Sequence, residues 1–192
     1  MGVSRRGFLR VGRLVLASAA TSGLVAPVLA APALVGLKEL DVRSLSFDCT
    51  NTGEQLNRVD YWVEGKYVPD ALAEIDDALR DFHTGAVYPI EPRLLDLLYQ
   101  LGRKLETDGR FALTSGYRSP ETNAMLHQRD SGVAVNSLHM KGQAADISVP
   151  DRSLEQLHAA ALELRVGGVG YYPDPIDEFV HVDVGRVRRW EG

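Results

Sequence analysis

Two short segments, far apart in the sequence, carry the residues that most constrain how this chain folds. The first, SLHMKGQAAD (137–146), places His139 and Asp146 a few residues apart in a chain with only five histidines. The second, FVHVD (179–183), places His181 within an apolar run typical of a β-strand. Two imidazoles and one carboxylate suit a catalytic zinc ion that keeps one coordination position open for water. The rest of the chain is then expected to hold the two segments against each other.

Residues 1–30 have the pattern of a signal peptide, in which the basic stretch SRRGFLR precedes a moderately apolar run and small residues surround Ala30. The basic stretch matches the twin-arginine export signature at five positions: Ser4, Arg5, Arg6, Phe8 and Leu9. We expect a leader that is cleaved after Ala30 and is exported to the periplasm by the twin-arginine export machinery. The alternatives are a general secretory signal with incidental arginines and an uncleaved anchor.

The remaining chain is long enough for one domain, with a linker over residues 31–44 and the folded domain over residues 45–192. The formal net charge of the whole sequence is −5, and loss of the arginine-containing leader makes the mature protein more acidic. Because nucleic-acid binding depends on basic surface that neutralises phosphates, nucleic acid is not an expected partner. The single cysteine, Cys49, cannot form an internal disulfide and is expected to be buried.

Hydrophobic periodicity predicts strands and helices in an irregular succession. An alternating pattern from Leu45 predicts a hairpin that bends at Glu64 and Gly65, and residues 144–149, VGYY and FVHVDV are further strands. Helical spacing is found over residues 70–82 and 93–105, and again after Ser153, a good N-cap residue. This pattern predicts an α+β domain, in which helices pack on one face of a small, mainly antiparallel sheet. The other face would carry the zinc site.

Four motifs, LTSGYRSPETNAMLH, SLHMKGQAADI, GGVGYY and FVHVDVGRVRRW, resemble those of the zinc D-Ala-D-Ala metallopeptidases, the group that includes lysostaphin-type and hedgehog-like domains. More narrowly, they resemble the murein endopeptidase K branch of that group, over about residues 45 to 190. The resemblance implies that His139, Asp146 and His181 ligate zinc. The family usually has a histidine where this chain has Asn51.

Two carboxylates beside His181 are candidates for the group that takes a proton from the attacking water and returns one to the leaving amine. Glu178 lies three residues upstream, which matches the E-x-x-H placement of the base in some D-Ala-D-Ala dipeptidases. Asp183 lies two residues downstream, so in a strand its side chain shares a face with that of His181. Asp183 is thus either the base or a carboxylate that orients a ligand histidine, and Glu178 is either the base or a surface turn residue.

Two further residues are candidates for substrate contacts. Arg118 resembles the family arginine that points into the cleft, where a guanidinium holds a developing oxyanion or a substrate carboxylate. Its alternative role is a stabilising ion pair with Glu121 or Asp146. Ser137 either hydrogen-bonds substrate or ligand, or is a plain structural serine.

Together, these residues and the resemblance predict a zinc-dependent peptidoglycan endopeptidase that acts in cell wall turnover. Its substrates would be peptide stems or cross-links that contain D-amino acids. The alternatives are a peptidoglycan D,D- or L,D-carboxypeptidase, and a wall-binding zinc module without turnover. The wall-binding alternative is favoured if neither Glu178 nor Asp183 can act as the general base.

Overall fold

A computed structural model describes residues 41–130, 132–174 and 178–192. The predicted leader and residues 31–40 of the predicted linker lie outside the described residues. The first strand begins at Val42, slightly ahead of the predicted domain boundary at Leu45. No helix in the described ranges has both the length and the apolar character needed to span a bilayer.

The described strands form one twisted sheet in the order β3-β2-β1-β4-β5-β7-β6-β8. Most neighbouring pairs are antiparallel, and the β1–β4 and β6–β8 pairs are parallel. The bend between β2 and β3 falls at Glu64 and Gly65, as predicted, and both have positive φ. The strands are β1 (Val42–Cys49), β2 (Gln55–Val63), β3 (Lys66–Tyr67), β4 (Arg110–Ser115), β5 (Ala144–Ser148), β6 (Gly168–Tyr172), β7 (Phe179–Asp183) and β8 (Arg188–Glu191).

The described α-helices begin where the sequence supplies a start signal. Three of them have proline in the first turn. The backbone N–H that proline lacks would have no intrahelical partner at this position, so no hydrogen bond is lost. The fourth begins with a capping box, in which Ser153 and Gln156 exchange side-chain and backbone hydrogen bonds. The helices are α1 (Pro69–Ala78), α2 (Pro92–Lys104), α3 (Pro120–Arg129) and α4 (Leu154–Leu164), and a short 3₁₀ helix covers Leu138–Lys141.

The hydrophobic core lies between one face of the sheet and helices α1, α2 and α4. Helix α2 lies against β1 and α4, while α4 also contacts β6 and β7. Strand β7 directs the buried residues Val180 and Val182 into this core. The alternation of a strand turns His181 and Asp183 to the opposite face. This arrangement confirms the predicted α+β class, and Cys49 is buried, as predicted.

Candidate metal centre

Three elements bring the predicted ligands to one point on the face opposite the main core. His139 lies in the 3₁₀ helix, Asp146 in β5 and His181 in β7. In the antiparallel β5–β7 pair, Asp146 and His181 are direct cross-strand partners, so their side chains stand side by side. The tight 3₁₀ turn ends at Gly142, whose φ of 62° is one that glycine adopts without strain.

The three side chains converge through specific atoms. His139 Nε2 lies 3.1 Å from His181 Nδ1. Asp146 Oδ1 lies 2.8 Å from His181 Nδ1 and 3.2 Å from His139 Nε2. Donor atoms that surround one tetrahedral zinc ion at ordinary bond lengths stand about 3.3 Å from each other. All three residues are buried, and this set of two nitrogens and one oxygen fits a zinc-type cation.

Hydrogen bonds to the outer ring nitrogens orient both histidines. His139 Nδ1–H donates to the carbonyl oxygen of Gly116 at 2.6 Å, which leaves the Nε2 lone pair facing the centre. His181 Nε2–H donates to Asp183 Oδ2 at 3.2 Å, which leaves Nδ1 facing the centre. Each histidine therefore directs one ring nitrogen at the centre, as a metal ligand must.

The electrostatics of the cluster favour the protonation states that metal binding requires at two of the three ligands. Burial, with the nearby Arg118 charge, lowers the pKa of His139 to about 4, so its imidazole is neutral at pH 7. Burial alone would raise the pKa of Asp146, but His139, Arg118 and two hydrogen bonds hold that pKa well below its usual range. For His181, burial is outweighed by hydrogen bonds and charge from Asp146 and Asp183, which raise its pKa. A divalent cation would displace that proton.

Arg118 forms an ion pair with Asp146, one of the two roles considered from the sequence. Its Nη2 contacts Asp146 Oδ2, and its Nε donates to Ser115 Oγ at 2.8 Å. The contact leaves Asp146 Oδ1 directed at the two imidazoles. Arg118 also lines the adjacent cavity, so this contact and a substrate contact are compatible.

Asp183 lies behind His181 relative to the centre. Its carboxylate accepts the Nε2–H of His181 and the backbone N–H groups of Gly168 and Gly185, the latter two at 2.9 and 2.8 Å. Since it contacts the ring on the side opposite Nδ1, its geometry matches that of an orienting carboxylate and not that of a base beside the centre. Burial would raise the pKa of Asp183, but these hydrogen bonds and Arg188 lower it below its ordinary value.

The other two candidates have simpler surroundings. Glu178 immediately precedes β7, is exposed, and makes no hydrogen bond or ion pair with the described part of the chain. Ser137 is buried, and its Oγ accepts the N–H of His139 at 3.3 Å as the N-cap of the 3₁₀ helix. This contact matches the structural role considered for Ser137.

A cavity of about 150 Å³ opens beside the cluster and is bounded by Asp146 and Arg118. Its other walls combine aromatic and polar side chains from separate parts of the chain: Asn51, Asp81, Phe82, His83, Thr114, Ser115, Tyr117, Thr122, Leu126 and Phe179. Asn51, at the position of the family histidine, donates from Nδ2 to the Thr114 carbonyl oxygen at 2.8 Å. The cavity is large enough for a small substrate group next to the ligands.

Sequence reasoning missed three groups that support the ligands. The Gly116 carbonyl is a backbone atom and leaves no mark in the sequence. Arg188 and Trp190 lie in the segment FVHVDVGRVRRW, where no role was assigned to them. Their alternation in β8 was the available signal, because it places both on the face that carries His181.

A mixed sheet with an inward-facing His-Asp-His cluster beside a cleft defines a metallopeptidase of the zinc D-Ala-D-Ala peptidase-like group. A peptidase family model described as "Peptidoglycan L,D-endopeptidase MepK" matches residues 38–190. The chain belongs to this family, the murein endopeptidase K branch.

Curated relatives of the same name cover most of the chain. The peptidoglycan L,D-endopeptidase MepK of Escherichia coli K12 is 36% identical over 187 residues, which are 97% of this chain and 97% of that protein. The Shigella flexneri protein of that name gives the same values. The probable peptidoglycan L,D-endopeptidase MepK of Haemophilus influenzae is 38% identical over 151 residues, which are 78% of this chain and 80% of that protein.

Proposed function

We propose that this chain is a zinc-dependent peptidoglycan endopeptidase that hydrolyses peptide cross-links containing D-amino acids. The observation that carries the proposal is the convergence of His139 Nε2, Asp146 Oδ1 and His181 Nδ1, with 2.8 to 3.2 Å between them. The names of the relatives support the substrate class and an L,D bond as the point of cleavage. A carboxypeptidase action on the same peptides is the alternative that cleavage products would reveal.

The three ligands would hold zinc, which supplies Lewis-acid activation of a peptide carbonyl and of water. Asp146 is kept ionised by Arg118 and contributes the negative charge that a divalent cation needs. The two imidazoles are oriented by Gly116 and Asp183, so the nitrogens that would bind a cation are aimed before it arrives. A site built in advance avoids the cost of ordering its ligands during binding.

Glu178 is the general base in this proposal. It precedes His181 by three residues, its carboxylate is exposed at the start of β7, and no partner in the described chain occupies it. Asp183 is less suited to the role, because both of its oxygens already accept hydrogen bonds and it lies on the far side of the His181 ring. Glu178 would take a proton from the attacking water and pass one to the leaving amine.

Arg118 is proposed to hold the substrate in the cleft. A guanidinium carries five N–H donors, and the contacts to Asp146 and Ser115 use only part of them. The remaining donors can bind a carbonyl oxygen or a carboxylate of a stem peptide in the adjacent cavity. The protein has a net negative charge, which gives no attraction to the anionic cell wall. Substrate recognition in this proposal therefore depends on the shape of the cleft.

The proposal places the enzyme in the periplasm, delivered by the twin-arginine export machinery. The signature residues Arg5 and Arg6 carry this part of the proposal. Replacing both by lysine should stop export while a general secretory signal would still function. Retained export after Arg5→Lys and Arg6→Lys would contradict the twin-arginine route.

The function is tested by digesting purified murein with the protein and identifying the released muropeptides by mass spectrometry. Peptide release should stop after chelation, return when zinc is added back, and be absent in His181→Ala. Equal release with and without chelator, or full release by His181→Ala, would remove the metal mechanism. Products shortened only at free stem-peptide ends would indicate a carboxypeptidase.

A further inference from the structure

The side chain of Arg188, in strand β8, contacts Asp183, the carboxylate behind the ligand His181. Its Nη2 donates to Asp183 Oδ2 at 2.7 Å and its Nη1 donates to Asp183 Oδ1 at 3.2 Å. This two-point contact fixes the plane of the carboxylate as well as its position. Asp183 Oδ2 is the same atom that accepts the Nε2–H of His181.

We propose that Arg188 is a positioning residue that sets the orientation of the ligand His181 by clamping Asp183. The inference rests on the proposed metal centre but concerns a residue to which that proposal gives no role. Arg188 reaches no ligand atom itself. Its effect passes from guanidinium to carboxylate to imidazole, each joined to the next by hydrogen bonds.

The surroundings of Asp183 show why a clamp is needed. The side chain is fully buried, and Gly168 and Gly185 donate backbone N–H groups to Oδ1 alone. Without Arg188, only the His181 Nε2–H would contact Oδ2, and the buried carboxylate would lose its arginine partner. The carboxylate could then rotate, which would weaken the hydrogen bond that holds the His181 ring.

Trp190 packs beside the clamp on the same face of β8. Its ring centroid lies 4.8 Å from the Arg188 guanidinium carbon and 5.2 Å from the centroid of the His181 ring. Its Nε1–H donates to the Tyr172 hydroxyl at 2.8 Å, which holds the indole in place. The indole packs over Gly170, where any side chain would collide with it. Trp190 thereby covers part of the Arg188–Asp183–His181 chain, whose carboxylate is completely buried.

The decisive experiment compares Arg188→Met with Arg189→Met in the purified protein. Arg189 is the matched control, because it is the next residue of β8, carries the same charge and is exposed. Zinc affinity is measured by competition with a chromogenic chelator. We expect Arg188→Met to bind zinc about 10- to 100-fold more weakly than wild type, and Arg189→Met to match wild type.

A second readout does not depend on zinc. Long-range ¹⁵N–¹H correlation spectra of the metal-free protein detect the proton that His181 Nε2 donates to Asp183. The His181 Nε2 signal should be the same in wild type and Arg189→Met, and it should be shifted or broadened in Arg188→Met, where the ring is held less firmly. Wild-type zinc affinity together with a wild-type Nε2 signal in Arg188→Met would overturn the inference.

The two proposals fail in different ways. If wild type binds no zinc, the metal centre is wrong, while the His181 Nε2 signal still decides the role of Arg188. If Arg188→Met does not fold, Arg188→Lys takes its place, because lysine keeps the charge but cannot make the two-point contact to Asp183. Wild-type zinc affinity in Arg188→Lys would overturn the inference, and weakened affinity with a native circular dichroism spectrum would support it.

Discussion

The two faces of strands β5 and β7 are equally buried but stabilised in different ways. On one face, Ile147, Val180 and Val182 pack in the core, where contact with apolar neighbours is all they require. On the other face, Asp146, His181 and Asp183 are buried beside charged or hydrogen-bonding partners, which offset the cost of removing these polar groups from water. The apolar face therefore supplies stability, and the polar face supplies a preorganised set of donor atoms.

This difference between the two faces predicts that substitutions of adjacent residues affect different properties of the protein. Asp146 and Ile147 are adjacent in β5, but their side chains lie on opposite faces. Substitution on the polar face should change metal binding and hydrolysis. Substitution on the apolar face should change the free energy of unfolding and leave the metal centre intact in the molecules that are folded.

The largest effect is expected for Asp146→Asn. The change keeps the shape of the side chain but removes the ligand charge and leaves Arg118 without its anionic partner. Zinc content, measured by atomic absorption after dialysis, and peptide release from murein should both fall to background. Retained zinc with retained hydrolysis would show that the polar face does not hold the catalytic metal.

Glu178→Gln should lower peptide release by about 10²- to 10⁴-fold, the range typical of a lost general base. Zinc content should be unchanged, because Glu178 is not among the three ligands. Glu74→Gln, an exposed carboxylate of α1, is the control and should act as wild type. Undiminished hydrolysis in Glu178→Gln would show that another residue is the general base. Zinc binding by wild type without any hydrolysis would favour the wall-binding module.

On the apolar face, Ile147→Ala should reduce the free energy of unfolding by about 2 to 5 kcal/mol, measured by chemical denaturation. Ile147 is completely buried, so its truncation leaves a cavity in the core. Zinc affinity of the folded variant should equal that of wild type. A large loss of zinc affinity without loss of stability would mean that the two faces are not separable.

The smallest effect is expected for Asp81→Asn, a buried carboxylate that is not a ligand. Burial would raise the pKa of Asp81, but hydrogen bonds, chiefly from Ser119, Thr122 and His83, lower it below its ordinary value. Its contribution to stability is therefore present above the unfolded-state pKa of about 3.9 and is lost as pH falls toward the lower folded-state pKa.

Melting temperatures of wild type and Asp81→Asn, recorded from neutral to acidic pH, test this sign. Wild type should be the more stable protein near neutral pH, and the difference should shrink below about pH 4. A difference that grows on acidification would mean that the pKa of Asp81 is raised and not lowered.

Local patterns predicted much of the fold. The Glu64–Gly65 bend, the Ser153 cap and helices α1 and α2 depend on neighbours along the chain, and they appear in the structure. Helix α1, however, ends at Ala78 and not at residue 82, as its spacing predicted. The pattern of β8 was not recognised as a strand, because its pairing with β6 is parallel and depends on a sheet edge formed by distant residues.

The sequence by itself supplied the candidate residues of the site through the resemblance of its motifs to the zinc D-Ala-D-Ala metallopeptidases, and strand alternation placed His181 and Asp183 on one face. Only the tertiary structure decided what the neighbouring groups do. Asp183 shares a face with His181 in any strand, but which nitrogen it contacts depends on how the imidazole is rotated between Asp146 and Asp183. Periodicity specifies the face on which a side chain lies, whereas hydrogen-bond roles depend on atoms brought together by the whole fold.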